Sequence, residues 1–228
     1  IKPLIGAEVS IRHSNALRSE NSRIVVLAKN TEGYENLIKI VSEIYLGDEQ
    51  LGAVCEETIF RNKSGLIVLS GGLSGHLWDL LESGHPQKAR ELASRWKNEF
   101  GDSYFIEITR TGRPNEETFV KESIEIALEL DVPVVATNDV CFENYDDYEA
   151  HEARVCINDG RTLDDPRRER SYSPEQYLKT PEQMAELFKD VPTAIANSVE
   201  IAKRCNFRIK LDEYYLPHYP TPNGKGLD

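Results

Sequence analysis

Short apolar runs rich in β-branched residues alternate with longer stretches of helical period through the first two-thirds of the chain. Residues 4–11 and 23–28 read as strands. Thr31 then opens a helix whose apolar positions Tyr34, Leu37, Ile38, Val41, Ile44 and Tyr45 recur at three- and four-residue spacing. Residues 65–70 form a further apolar run, a helix is expected over 86–100, and a strand over 104–109. A helix opening at Pro114 carries Glu116 and Glu117 in its first turn, where acids suit the helix dipole. Val132, Val134, Val135 and Ala136 close the series as a strand buried on both faces. Strands alternating with helices over short connections predict a parallel, barrel-like α/β fold.

The pattern changes past Gly160. Ser173-Pro-Glu-Gln176 and Thr180-Pro-Glu-Gln183 both have the form of capping boxes with proline at the first helical position, and each predicts a short helix. A third helix from about 192 to 205 places Ile195, Val199 and Ala202 on one face. The stretch from 216, with Pro217, Pro220, Pro222, Gly224 and Gly226, supports neither helix nor sheet and reads as a linker. The division is therefore a barrel over 1–160, a helical extension over 161–215 and a linker over 216–228. Ile1 stands where an initiator methionine is expected, so the chain reads as part of something longer.

The chemistry suggested by position lies at the end of the strand near 134, where loops converge in folds of this class. Asn138 and Asp139 occupy that end, and Cys141 is the next side chain able to face the same way. An Asp-x-His pair there would read as metal-binding; this chain has Asp-x-Cys. His151, His76, the Gly71-Gly72 turn and the acids Glu143, Asp146, Asp147, Glu149 and Glu152 each have a plain structural explanation. Arg161, Arg167, Arg168 and Arg170 are interleaved with Asp164, Asp165 and Glu169 and read as a solvated, ion-paired loop.

Composition narrows the function. The net charge is −12, with 27 Lys and Arg against 39 acids, which disfavours a surface that grips nucleic acid directly. Cys55, Cys141, Cys156 and Cys205 form no C-x-x-C pair and read as reduced thiols. With no apolar run of membrane-spanning length and no leader, a cytoplasmic location is expected.

Six ordered blocks carry a resemblance that covers essentially the whole chain: LIGAEVSI at 4–11, VVLAKNTEGYENL at 25–37, GLIVLSGGLSG at 65–75, EITRTGRPNEE at 107–117, the run from Asp131 to Pro166, and VEIAKRCN at 199–206. Together they closely resemble the amino-terminal PHP (polymerase and histidinol phosphatase) domain of the bacterial DNA polymerase III α-subunit family. The resemblance implies a distorted seven-stranded (β/α) barrel, here lacking its first strands, with the helical segment leading toward the polymerase palm. Active PHP domains, it further implies, hold a multinuclear metal cluster and hydrolyse phosphoesters. Matched to that ligand set, Glu8 is retained, Arg23 stands for a histidine, Gly72 for a cysteine, and Asp139 with Cys141 for Asp-x-His. A guanidinium has no lone pair for a metal and glycine has no side chain.

The resemblance thus implies vestigial metal-site positions at Glu8, Arg23, Gly72, Asp139 and Cys141, with no catalytic residue and no cofactor. The role implied is that of a scaffold within a DNA-directed DNA polymerase, a nucleotidyltransferase. It would brace the palm of the same full-length chain and dock the proofreading exonuclease subunit beside other replicase subunits. DNA would be contacted only through the full polymerase, and no membrane is involved. The alternative is a zinc- or manganese-dependent phosphoesterase, either a 3′-5′ exonuclease or a pyrophosphatase.

Overall fold

A computed structural model describes residues 2–12, 21–46, 52–168, 170–211 and 213. Six strands form one sheet: β1 (Gly6–Arg12), β2 (Ser22–Ala28), β3 (Val54–Cys55), β4 (Leu66–Leu69), β5 (Tyr104–Ile108) and β6 (Val134–Ala136), in the order β3-β1-β2-β4-β5-β6. The helices are α1 (Thr31–Leu46), α2 (Glu56–Arg61), α3 (His76–Glu82), α4 (Pro86–Phe100), α5 (Glu116–Leu130), α6 (Tyr148–Asn158), α7 (Pro181–Leu187) and α8 (Pro192–Arg204). This is the mixed α/β arrangement of a PHP-type barrel fragment. Among the described residues no helix is long and apolar enough to cross a membrane. The expected linker from 216 lies outside them.

The sheet is not wholly parallel, as the alternation of elements suggested. β1 with β3, β4 with β5 and β5 with β6 are parallel, whereas β2 is antiparallel to both its neighbours. The reason is topological. β1 and β2 are adjacent in sequence and space, with only residues 13–21 between them, and a parallel return needs a crossover of a dozen or more residues. One strand is therefore reversed in a sheet whose other five strands share a direction.

Strand alternation divides the apolar residues between two faces. Val9, Ile11, Ile24, Val26, Leu66, Val68, Ile106, Ile108 and Val134 join the larger core, against Leu37 and Ile40 of α1, Leu77 and Leu80 of α3, Trp96 of α4 and Phe119 of α5. Ile67, Leu69, Phe105 and Val135 point the other way, onto Ile201 and Cys205 at the end of α8. α8 is also tied to the sheet by Asn197, whose amide donates to the Val134 carbonyl at 2.7 Å.

Several local expectations need correction. In α1 the buried positions are Gly33, Asn36, Leu37 and Ile40, while Ile38 and Tyr45 face solvent. Gly33 lies so near Gly65 that a β-carbon on it would stand 1.9 Å from the Gly65 carbonyl oxygen, and this close approach turns the helix toward that face. In α8, Ala194 and Ile201 are buried and Val199 is exposed. The Thr180 capping box does open α7. Ser173 opens no helix: Tyr177 instead bridges to Phe142, and the Leu178 amide donates to the Phe142 carbonyl, so the chain leaves the turn extended. β3, α2 and α3 were too short for the periodicity to reveal.

One buried carboxylate shapes the connection from β5 to α5. Glu116, 3% exposed, accepts from the Thr109 hydroxyl (2.7 Å), the Thr111 amide (2.6 Å) and hydroxyl (3.0 Å), and the amides of Gly112 (2.7 Å) and Arg113 (3.3 Å). As the first residue of α5 it also meets the positive end of the helix dipole. Replacing it with Ala strands these donors in the interior, so Glu116→Ala is expected to cost about 3 kcal/mol in denaturant unfolding, and Glu116→Gln less, because the amide oxygen still accepts.

A second tie joins α7 and α8 to the same loop. Arg110 holds Asp190 in a two-pronged pair (2.6 and 2.8 Å) and also donates to the Leu187 carbonyl (2.7 Å). Hydrogen bonding to Arg110 brings the Asp190 carboxyl down to about 2 from its ordinary 3.8. Because the folded value is the lower one, the stabilisation is complete above the unfolded pKa and is lost as pH falls from about 4 to about 2. Asp190 is more than half exposed, so solvent screening limits the contribution to about 0.5 kcal/mol. Stability measured against pH should show this component in the parent protein and lack it in Asp190→Asn.

Candidate functional site

The register of the sheet brings the predicted positions together. Directly opposed residues share a face, so the pairings Glu8 with Val25, Val25 with Leu69, Leu69 with Phe105 and Glu107 with Val135 carry one face across five strands. Arg23, two residues before Val25, lies on that face, at the reversed strand's amino end. The turn after β4, the loop after β5 and the loop after β6 open onto the same rim. A cleft of about 30 Å³ results, lined by Glu8, Arg23, Gly72, Glu107, Arg113 and Asp139 among others.

Four of the five sequence-predicted positions line this cleft. The fifth, Cys141, sits beside it, its thiol 3.4 Å from the Asp139 carbonyl oxygen and 3.5 Å from the Gln176 amide nitrogen. Burial, followed by the negative charge of Asp139, pushes the Cys141 thiol up from its usual range, which disfavours a thiolate. Gly72 has φ +52°, and a β-carbon there would meet Thr109 Cγ2 at 3.5 Å and the Glu107 carboxyl carbon at 3.9 Å. The position therefore faces into the cleft but supplies no atom to it.

The carboxylates are already engaged. Glu8 lies 3.6 Å from Arg23, with both side chains largely exposed. Asp139, in a left-handed backbone conformation (φ +45°), is paired with Arg113 at 2.9 Å and accepts from the buried Gln176 amide at 2.9 Å. Asn138 anchors the same loop by donating to the carbonyls of Glu175 and Tyr177, and the Cys141 amide donates to the Gln176 carbonyl.

Glu107 is the functional group that the sequence reading passed over. It is 8% exposed and accepts from the Gly71 amide (3.1 Å) and the Thr137 hydroxyl (2.6 Å). Burial raises its pKa, these two hydrogen bonds oppose the rise, and the negative charges of Asp139 and Glu8 add to it. A charge in the middle of the wholly buried strand YFIEI was the available signal. Gly71 is needed here for its backbone: at φ +88° its amide reaches Glu107, and a β-carbon would lie 1.9 Å from the Arg23 carbonyl oxygen. Arg113 and Gln176 left no local trace, since their role depends on Asp139 across the fold.

The cleft thus combines three carboxyl groups and two guanidinium groups. Among the described residues, no three His, Cys, Asp or Glu side chains are grouped to hold a metal ion. His151 stands apart, buried between Phe142 and Tyr172 with ring centroids at 5.4 and 4.5 Å. The acids on either side of it are local: Asp147 forms a reciprocal capping box with Asn144, and Glu152 pairs with Arg168.

Comparison with known proteins agrees with this architecture. A family model described as the PHP domain matches residues 1–111. The DNA polymerase III subunit alpha of Pseudomonas aeruginosa is 44% identical over 233 residues, covering 100% of this chain and 20% of the relative. The subunits of that name from Vibrio cholerae and Escherichia coli K12 are each 44% identical over 223 residues, covering 97% of this chain and 19% of theirs. The chain spans about a fifth of the length of these relatives. It carries a PHP domain and is, over its whole length, a homologue of the amino-terminal region of bacterial DNA polymerase III subunit alpha.

Proposed function

We propose that this chain is the PHP part of a replicative DNA polymerase and serves there as a non-catalytic scaffold, bracing the polymerase core and docking the proofreading exonuclease. The observation that carries this reading is the presence of protein cations at the metal-ligand positions: Arg23 beside Glu8 and Arg113 on Asp139. A divalent ion placed among these carboxylates would meet two fixed positive charges and would have to displace Arg113 from a short pair. The side chains that remain do not fit a metal cluster. Gly72 offers no ligand, burial disfavours the Cys141 thiolate, and Glu107 already uses its oxygens for hydrogen bonds to the turns after β4 and β6.

The scaffold role also suits the way the tail is attached. Arg110, Asn197 and Arg204 join the α7 and α8 region to β5, β6 and the turn before β5, and the Arg204 guanidinium lies 5.8 Å from the centre of the Phe105 ring. A segment fixed at several points to the sheet can transmit position to whatever it leads into. Specific contacts with the palm, the exonuclease and other replicase subunits are part of this proposal, as is a cytoplasmic setting.

Two measurements on the full-length polymerase test the reading. Elemental analysis after dialysis at neutral pH is expected to find well under one zinc or manganese per chain; a stoichiometric complement of tightly held metal would favour the hydrolase instead. In the double variant Glu8→Gln, Asp139→Asn, primer extension and co-purification with the exonuclease should be retained. The exposed Glu8 pair contributes at most about 1 kcal/mol and the half-buried Asp139 pair about 1–2 kcal/mol, so a modest fall in stability is expected. Selective loss of a phosphoester- or pyrophosphate-hydrolysing activity in that variant would overturn the scaffold assignment.

A further inference from the structure

A second, wider cavity lies away from the acidic cleft, between one face of α6 and the loop that follows it. Its volume is about 860 Å³, within the range of small-molecule sites. His151, Arg154 and Asn158 face it at helical spacing, and Arg161, Arg167 and Arg168 line it from the loop. The sequence pattern reads this arginine-rich segment as a solvated, ion-paired loop, and α6 adds Arg154 to it.

The pairing within the cavity is uneven. Arg168 is neutralised by Glu152 at 2.5 Å, both side chains being buried, and Arg167 closes a local turn through two bonds to Asp165. Arg161 donates to the Arg167 carbonyl at 2.8 Å, and Arg154 donates to His151 Nδ1 at 3.3 Å. Neither of these last two guanidinium groups has a carboxylate partner within salt-bridge distance among the described residues. Of the described acids, Asp159 also lines the cavity and accepts from the Asn158 amide at 3.2 Å, and Asp165 is paired with Arg167 at 2.9 Å. Two arginines with unspent donors face a space large enough for a nucleotide. Guanidinium forks bind phosphate oxygens in pairs.

We propose that this cavity is a binding site for the phosphate group of a nucleotide-sized phosphate ester, with Arg154 and Arg161 as its anion-binding residues. Arg168 acts as a positioning residue, since its bond to Glu152 ties the loop to α6. Tyr172 and Val155, also at the wall, offer apolar surface for the remainder of the ligand. The site is independent of the scaffold reading, because it shares no residue with the acidic cleft.

Hydrogen exchange read by mass spectrometry on the full-length polymerase tests this locally, since peptides from α6 report the cavity apart from any other nucleotide site. The probes are deoxyadenosine monophosphate, inorganic phosphate, deoxyadenosine and a short single-stranded oligonucleotide, each against sodium chloride of equal ionic strength. Millimolar deoxyadenosine monophosphate should slow exchange in α6 at least about twofold, with inorganic phosphate weaker and deoxyadenosine without effect. The double variant Arg154→Gln, Arg161→Gln should lose the protection while keeping parental exchange in β4 and β5, which shows that it folds. Arg154→Lys, Arg161→Lys should retain part of it. Protection by sodium chloride alone, protection that survives the glutamine variant, absence of protection by the monophosphate, or protection by the oligonucleotide only would each overturn the proposal.

Discussion

The reversal of β2 is the constraint on which the rest of this molecule depends. It pairs antiparallel with β1 on one side and β4 on the other, and therefore fixes the phase of both halves of the sheet. A slip of one residue in either pairing would send Glu8 or Glu107 into the larger core and bring Val9 or Ile106 to the rim. Such an error would bury charge without a partner and expose β-branched side chains together. The energetic gap between the correct and the slipped register is accordingly large, and it protects the apolar core and the polar cleft at the same time.

Charge balance within the cleft follows from that register. Glu107 is stabilised by a backbone amide and a hydroxyl, Asp139 by a guanidinium and a carboxamide, and Glu8 by a guanidinium in contact with water. The three solutions are graded by burial: neutral donors hold the most buried acid, whose pKa rises, and full cations serve the acids nearer solvent. Each of the three carboxyl groups thus has a donor or a cation supplied by the chain itself.

Much of the fold was legible because its signals are local. β4 and β5 are continuous apolar runs, α4 begins with proline at 86 as expected, and the Thr180 box opens a helix. Elements of two to seven residues, such as β3, α2 and α3, hold too few turns or alternations to produce a period. At Ser173 half of the box forms, Gln176 accepting from the Ser173 amide, but no helix follows because the Gln176 amide is held by Asp139 and the following backbone bridges to Phe142. For the site, Asp139 was reached from its place after β6 and Glu8, Arg23 and Gly72 through resemblance; the period-two rule sets Glu8 and Arg23 on one face, and the loops after β4 and β6 bring the other two to the same rim. Arg113 and Arg154 were invisible for one reason: an arginine acquires a role only from what the fold sets beside it.

The Glu116 cradle has a consequence for how the cleft can change over time. Thr109, Thr111, Gly112 and Arg113 are all gripped through backbone amides or hydroxyls, so the course of that loop is specified chiefly by Glu116, the guanidinium at 113 adding a single bond to the Thr111 hydroxyl at 2.9 Å. Shape and charge are thereby uncoupled. A lineage could exchange the cation at this rim for a neutral or metal-binding side chain while the main chain stayed where it is, and the reverse exchange is equally open. Loss and recovery of chemistry at such a rim are steps of side-chain identity alone, taken on a backbone already held in place from behind.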